Sequence, residues 1–238
     1  MKTKQALETI GGLSNPAKMP CKGYSIPAVH CQTGSKLRQV VGSTCNKCYA
    51  LKGMYRFSTV ENALENRFQI LLKALNNKEE QNKFELAFRV LLKKQTFFRW
   101  HDAGDIQSVK HLELICRIAE QNPHVMFWIP TREYKIVSDY LAKNEKPENL
   151  NIRLSAHKID TKGPQKLAKK LGLTVSEVHS ENTDSFSCPS KYITSNKTTK
   201  SGKLDTGFCS GIDTRTNKKT DCRKCWNNNH KSTSYPIH

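Results

Sequence analysis

Long apolar runs are missing from this 238-residue chain. No stretch approaches the roughly 18 consecutive apolar residues that a membrane span requires, and the opening MKTKQALETIGG holds no apolar leader segment. These absences point to a cytosolic protein with no membrane partner. Three familiar motifs are missing too: the Walker A loop, the dinucleotide G-x-G-x-x-G and the G-x-S-x-G elbow. Their absence removes the standard phosphate cradle, the Rossmann fingerprint and the serine-hydrolase nucleophile. Acidic residues are scarce, 21 Asp and Glu against 39 Lys and Arg, for a formal charge of +18.

That charge is unevenly spread. Residues 1–58 carry nine Lys and Arg against one acid, residues 191–238 ten against three, and residues 59–190 twenty against seventeen. The basic excess lies in the two flanks, which suits nucleic acid or another polyanion as partner. A host protein is the other partner class that such flanks could grip.

What the sequence does have is cysteine. In a reducing cytosol nine cysteines are no disulfide framework, and eight of them fall into two groups. Cys21, Cys31, Cys45 and Cys48 form the first, and Cys188, Cys209, Cys222 and Cys225 the second. Each ends in a C-x2-C pair, from which two thiolates reach one metal off a single turn. Cys116, alone on a helix, reads as a small buried hydrophobe. One or two [4Fe–4S] clusters or zinc would satisfy the thiols, and the two groups could also exchange members if the chain ends meet.

Between the flanks the periodicity is regular. Val60, Leu64, Phe68, Leu71 and Leu75 recur at helical spacing, with Ser58 and Glu61 as a possible capping box, and a second helix is expected over 79–94. A buried strand through Phe97–Trp100 follows, then helix 108–121 with Val109, Leu112, Ile115, Cys116 and Ala119 inward. Strand 125–130, helix 134–143, strand 151–155, helix 163–170 and a strand at 173–178 complete the alternation. Repeated βα units predict an α/β fold with a mainly parallel sheet, open or a partial (β/α) barrel, flanked by cysteine-rich metal-binding segments. The expected organisation is 1–58, 59–180 and 181–238, packed as one domain.

Ligands of such sheets gather at the C-terminal strand ends. There the sequence puts His101, Asp102 and Asp105 after one strand and Arg132 after the next. His101 with Asp102 suits proton transfer, and Arg132 suits a phosphate or carboxylate. Asp105 is as well suited to capping the next helix, and His157 reads as a surface or satisfied histidine. Trp100, Phe127 and Trp128 read as core. In the basic tail, Lys218, Lys219, Arg223 and Lys224 are candidate phosphate contacts, with Trp226 and Tyr235 candidate base-stacking residues.

The segments Gly12–Pro16, Gly42–Ala50, Arg99–Asp105, Phe127–Arg132 and Asp221–Trp226 together give the chain a resemblance to an uncharacterised family of bacteriophage proteins, over most of its length. The resemblance implies a viral protein acting in the host cytoplasm. The Cys45-x2-Cys48-Tyr49-Ala50 turn before a βα core is more weakly similar to the cluster loop of radical S-adenosylmethionine (SAM) enzymes. That loop reads C-x3-C-x2-C, and Val41 stands where its first cysteine would be. The leading expectation is an iron–sulfur enzyme acting on nucleic acid or a nucleotide-like substrate. The alternative is a zinc-stabilised, non-enzymatic protein that binds nucleic acid or a host protein.

Overall fold

The computed structural model describes residues 1–181, 183–199 and 201–237. Among the described residues seven α-helices form, the last five where the periodicity puts them and the first two inside the flank that shows little of it: α1 Thr3–Ile10, α2 Gln32–Leu37, α3 Ser58–Asn76, α4 Lys78–Leu92, α5 Val109–Glu120, α6 Tyr134–Leu141 and α7 Gln165–Leu171. In α3 the residues Leu64, Phe68, Leu71 and Ala74 are buried. The expected Ser58/Glu61 box does not form. Phe57 is the extended residue before the helix, so Ser58 already lies inside it, and Phe57 O accepts from Val60 N (2.8 Å) and Glu61 N (2.9 Å). Side-chain caps do start the next two long helices, Asn77 on Glu79 N and Glu80 N and Ser108 on His111 N. Leu112, Ile115, Cys116 and Ala119 face inward on α5 as expected, whereas Val109, in the uncovered first turn, is exposed.

Six parallel strands make the main sheet: β1 Gly23–Tyr24, β2 Phe97–Trp100, β3 Met126–Thr131, β4 Leu150–Ser155, β5 Thr174–His179 and β10 Ser232–Pro236, side by side in that order. The order never reverses, so every crossover steps the same way. Right-handed crossovers then put the helices on one face. One apolar cluster joins helix residues such as Ala6, Phe68, Phe88, Leu112 and Val137 to alternate strand residues Phe98, Trp100, Phe127, Ile129, Leu150, Ile152 and Leu154. The sheet stays open, with β1 and β10 as its edges.

The opposite face carries Phe97, Arg99, Met126, Trp128, Asn151 and Arg153. Its cover comes from the cysteine-bearing flanks, where Cys21, Cys225, Trp226 and Tyr235 pack on Trp128. The last flank also folds a four-stranded antiparallel sheet in the order β7-β6-β8-β9, from β6 Ile193–Thr198, β7 Leu204–Thr206, β8 Ser210–Asp213 and β9 Lys218–Asp221. Because the first segment supplies β1 and the last supplies β10, the three expected segments share one sheet. Among the described residues no helix is long and apolar enough to cross a membrane.

Candidate metal and catalytic centre

The chain leaving β1 turns through a short 3-10 segment, Ala28–His30, and enters α2 at Cys31. Gly34, one turn into α2, is the cradle of this region. A Cβ there would lie 2.9 Å from Cys31 Cβ, 3.6 Å from Cys31 Sγ and 3.7 Å from Cys45 Sγ, so both sulfurs border the space that glycine leaves open. Cys48 follows in the turn closed by its own N–H on Cys45 O (3.2 Å). Burial pushes the Cys31 and Cys45 thiols up, with Arg132 opposing in both cases.

Three strand ends hold this group. Thr44 N donates to His157 O at 2.9 Å and Ile159 N to Gly42 O at 3.0 Å, which zips the Cys45 turn to the loop after β4. Arg132, just past β3, donates from Nε to Thr44 Oγ1 at 2.9 Å. Its neighbour Glu133 accepts from Thr33 N (2.8 Å) and Thr33 Oγ1 (2.7 Å), fixing the start of α2. Two successive residues of β3's end thus grip both thiol-bearing elements.

Asp105 is fully buried beneath them. It accepts from Ile106 N (2.8 Å), Thr131 Oγ1 (2.6 Å) and Arg132 N (3.0 Å), and burial pushes its carboxyl up to about 6. It ties the loop after β2 to the end of β3; Ser108, not Asp105, caps α5. Gly104 before it has φ +83°, and a Cβ there would meet Ile26 O at 2.7 Å, so only glycine permits this approach to the loop after β1.

The expected His101–Asp102 pair does not form. Asp102 accepts from Ser25 Oγ and, at 2.8 Å, from Tyr55 Oη, while Tyr49 Oη donates to its carbonyl. His101 is buried with φ 55° and no hydrogen-bond partner at either ring nitrogen, packed edge-on against His111 at 5.2 Å. The left-handed backbone at His101, just past the end of β2, breaks the strand's alternation, so His101 follows Trp100 to the helix side against His111 while Asp102 turns to the polar side. His157 is half-buried, its ring stacked 4.5 Å from that of Tyr134.

His111 makes the buried histidines testable. Burial pushes it down to about 3, while an unfolded histidine takes a proton near pH 6.5. Its contribution to stability is therefore complete above pH 6.5 and is lost as the pH falls toward about 3. Between pH 7 and 5 the wild type should lose about 2 kcal/mol more than His111→Gln in urea titrations. Identical pH slopes for the two proteins would contradict this.

Cys21 leaves the group in which its spacing puts it. It packs with Trp128, Trp226 and Cys225, across the sheet's polar face. The first group is thus Cys31, Cys45 and Cys48, three thiols. In the basic tail, Lys218 and Lys219 are exposed on β9, whereas Arg223 pairs with Asp221 at 2.5 Å and Lys224 lies 3.6 Å over the Phe186 ring. Trp226 is 1 % exposed and donates from Nε1 to Phe98 O at 2.9 Å, so its ring faces are closed to a base. Tyr235 stacks on Trp128 and meets Cys225 Sγ with its hydroxyl at 3.0 Å.

Spacing did not identify Gly34, Thr44, Tyr49 or Tyr55 as parts of the site. Only Arg99 carried a signal, a charge inside the aromatic run Phe97-Phe98-Arg99-Trp100. It is half-buried on the polar face, 4.6 Å over the Trp128 ring, with Nη1 3.8 Å from Met19 Sδ and Nε without a partner.

Among the described residues, no three Cys, His, Asp or Glu side chains close on a point as a single metal ion would require. Around tetrahedral zinc with bonds of about 2.3 Å, sulfurs stand about 3.8 Å apart. A four-iron cluster binds each thiolate at a different iron and holds them wider apart.

Residues 1–228 match the model of a family described as Gene product 88. The matched span takes in every one of the cysteines and all but the last strand of the main sheet. No curated protein and no solved structure matches the chain.

Proposed function

We propose that this chain, which belongs to the Gene product 88 family of phage proteins, is an iron–sulfur enzyme with its reactive centre at the C-terminal ends of β1–β3. One observation carries the reading: Cys31 and Cys45 border the Gly34 cradle, and Cys48, one turn after Cys45, packs with Cys31 against the same alanine cluster. Three thiolates leave one iron of a [4Fe–4S] cluster without a protein ligand, and when bound such a cluster supplies an electron and an open coordination position. The third thiol of the radical-SAM loop, absent four residues before Cys45, has a counterpart in Cys31 at the start of α2. That supports chemistry of the radical-SAM kind on a nucleotide-like substrate.

The surrounding residues have matching roles. Arg132, held on Thr44, offers a guanidinium to a phosphate or carboxylate beside the cluster. Asp102, with Ser25, Tyr49 and Tyr55 around it, is the acceptor group at the mouth. Asp105 positions Arg132 through its backbone and touches no substrate in this account.

Anaerobic reconstitution with iron and sulfide, followed by metal analysis and a thermal-shift screen with SAM and nucleotides, tests the reading. The expected result is a brown protein with iron and acid-labile sulfide in equal amounts, whose melting temperature rises with at least one of these ligands. A colourless protein holding only zinc would sink it.

A second reading, a zinc-stabilised protein that binds nucleic acid, has its own support in the small sheet. Asp205, Asp213 and Asp221 are paired with Lys18, Arg215 and Arg223, which leaves the exposed Lys218 and Lys219 on β9 unneutralised by those acids. It requires nucleic-acid affinity that falls steeply with salt and survives Asp102→Ala.

A further inference from the structure

The members of the second cysteine group come from three separate pieces of chain. Cys209 and Cys222 flank the β8–β9 hairpin, opposite each other just beyond the Ser210–Asp221 pair, with Cys222 N donating to Cys209 O at 2.9 Å. Cys225 sits one short turn further on, in the 3-10 segment Lys224–Trp226. Cys188 reaches the same place by another route. Its N–H donates to Ser234 O at 2.8 Å, and the next residue, Tyr235, puts its hydroxyl 3.0 Å from Cys225 Sγ. All four are free thiols.

The charge around them is lopsided. Arg99 and Cys209 touch the same atom, Met19 Sδ, each at 3.8 Å. Arg153, fully buried, points Nε at Cys225 O at 3.4 Å. Arg223 is next to Cys222 in the chain and carries a buried Nε without a partner, as Arg99 does. A fully buried guanidinium such as that of Arg153 is costly beside neutral thiols. Four thiolates around a divalent metal or a [4Fe–4S]²⁺ core carry about −2 and would offset that cost.

We propose that Cys188, Cys209, Cys222 and Cys225 form a second, closed tetrathiolate iron–sulfur centre, separate from the three-thiol group, with Arg99 and Arg153 as its counter-cations. The hydroxyls of Tyr235 and Ser190, the latter 3.4 Å from Cys188 Sγ, are the outer hydrogen-bond donors that such sulfurs take. The centre has no open position. It locks the β8–β9 hairpin and the Cys188 strand-end to β10, so it secures the last strand of the main sheet. Cys21, although packed against Cys225, is a fifth thiol outside it. The inference stands whether or not the three-thiol group holds a cluster.

The test is metal content per chain in the Cys31→Ala/Cys45→Ala/Cys48→Ala variant, purified anaerobically. The proposal expects four irons with four sulfides to remain, X-ray absorption to report a first shell of sulfur alone around iron, and Cys21→Ser to change nothing. Adding Cys222→Ser should remove that iron. A triple variant without stoichiometric iron, or iron that survives Cys222→Ser, overturns the proposal. Thiol alkylation of the wild-type chain, read cysteine by cysteine before and after chelation, remains decisive if the variants do not fold. Cys188, Cys209, Cys222 and Cys225 should become reactive together, and protection of only two or three of them before chelation would equally overturn it.

Discussion

Replacing Arg153 with leucine should cost about 3–5 kcal/mol of folding stability, the sum expected when several buried carbonyls lose their donor at once. Arg153 sits in the middle of β4 with no exposed surface. Its guanidinium donates to Val175 O, Lys224 O and His230 O, each at 2.9 Å, and more weakly to Cys225 O. Leucine matches the apolar stem but leaves those carbonyls buried without donors, and each such loss costs about 1–3 kcal/mol. Lysine should not restore the loss, because a single ammonium cannot copy a planar fork that reaches three strands and turns at once. For a domain whose whole stability is on the order of 5–15 kcal/mol, this is a large share. Urea denaturation of the wild type and both variants measures it, and a difference under about 1 kcal/mol would show that the C-terminal segment is held some other way.

The second large effect concerns cysteines that spacing treats alike. Cys31→Ala should abolish cluster binding at the mouth, a loss beyond the 10–100-fold that typically follows removal of an outer-shell partner. Cys21→Ala should leave that binding intact. Cys31 stands at the start of α2, where Gly34 opens space toward Cys45 Sγ and Glu133 anchors Thr33. Cys21 lies against Trp128 and Trp226 instead, with its thiol pushed up to about 12 by burial. Iron and sulfide counts on the two variants decide the matter, and equal losses would restore the grouping by spacing.

The contrast between those cysteines shows where the sequence is legible. The βα alternation can be read because each unit writes its own period: the aromatic run at Phe97–Trp100, the apolar stretch Met126–Thr131 and the inward face of α5 need no distant partner. β10 cannot be read that way. Ser-Thr-Ser-Tyr-Pro has no apolar side to declare, and it is a strand because β5 offers it a parallel ladder from Val175 to His179. Trp226 misleads for the same reason. Its neighbours in sequence are polar, yet its neighbours in space are Phe97 and Trp128.

At the site, sequence spacing brings Asp105, Arg132 and the Cys45 turn into one place, because strand ends of a parallel sheet converge. It fails for His101 with Asp102, because the left-handed turn at His101 that parts them carries no signal in a histidine's sequence neighbourhood. It fails again for the cysteine partition, since the separation between Cys21 and Cys31 says nothing about which side of the sheet each meets.

The central claim is a cluster at Cys31, Cys45 and Cys48 with one iron open to a ligand. Its most direct test is electron paramagnetic resonance of the reduced, reconstituted Cys222→Ser/Cys225→Ser chain, recorded with and without SAM or an added nucleotide. The account predicts a reduced-cluster signal whose g-values shift when one of these ligands is added. No cluster signal, or a signal that none of them moves, would contradict it.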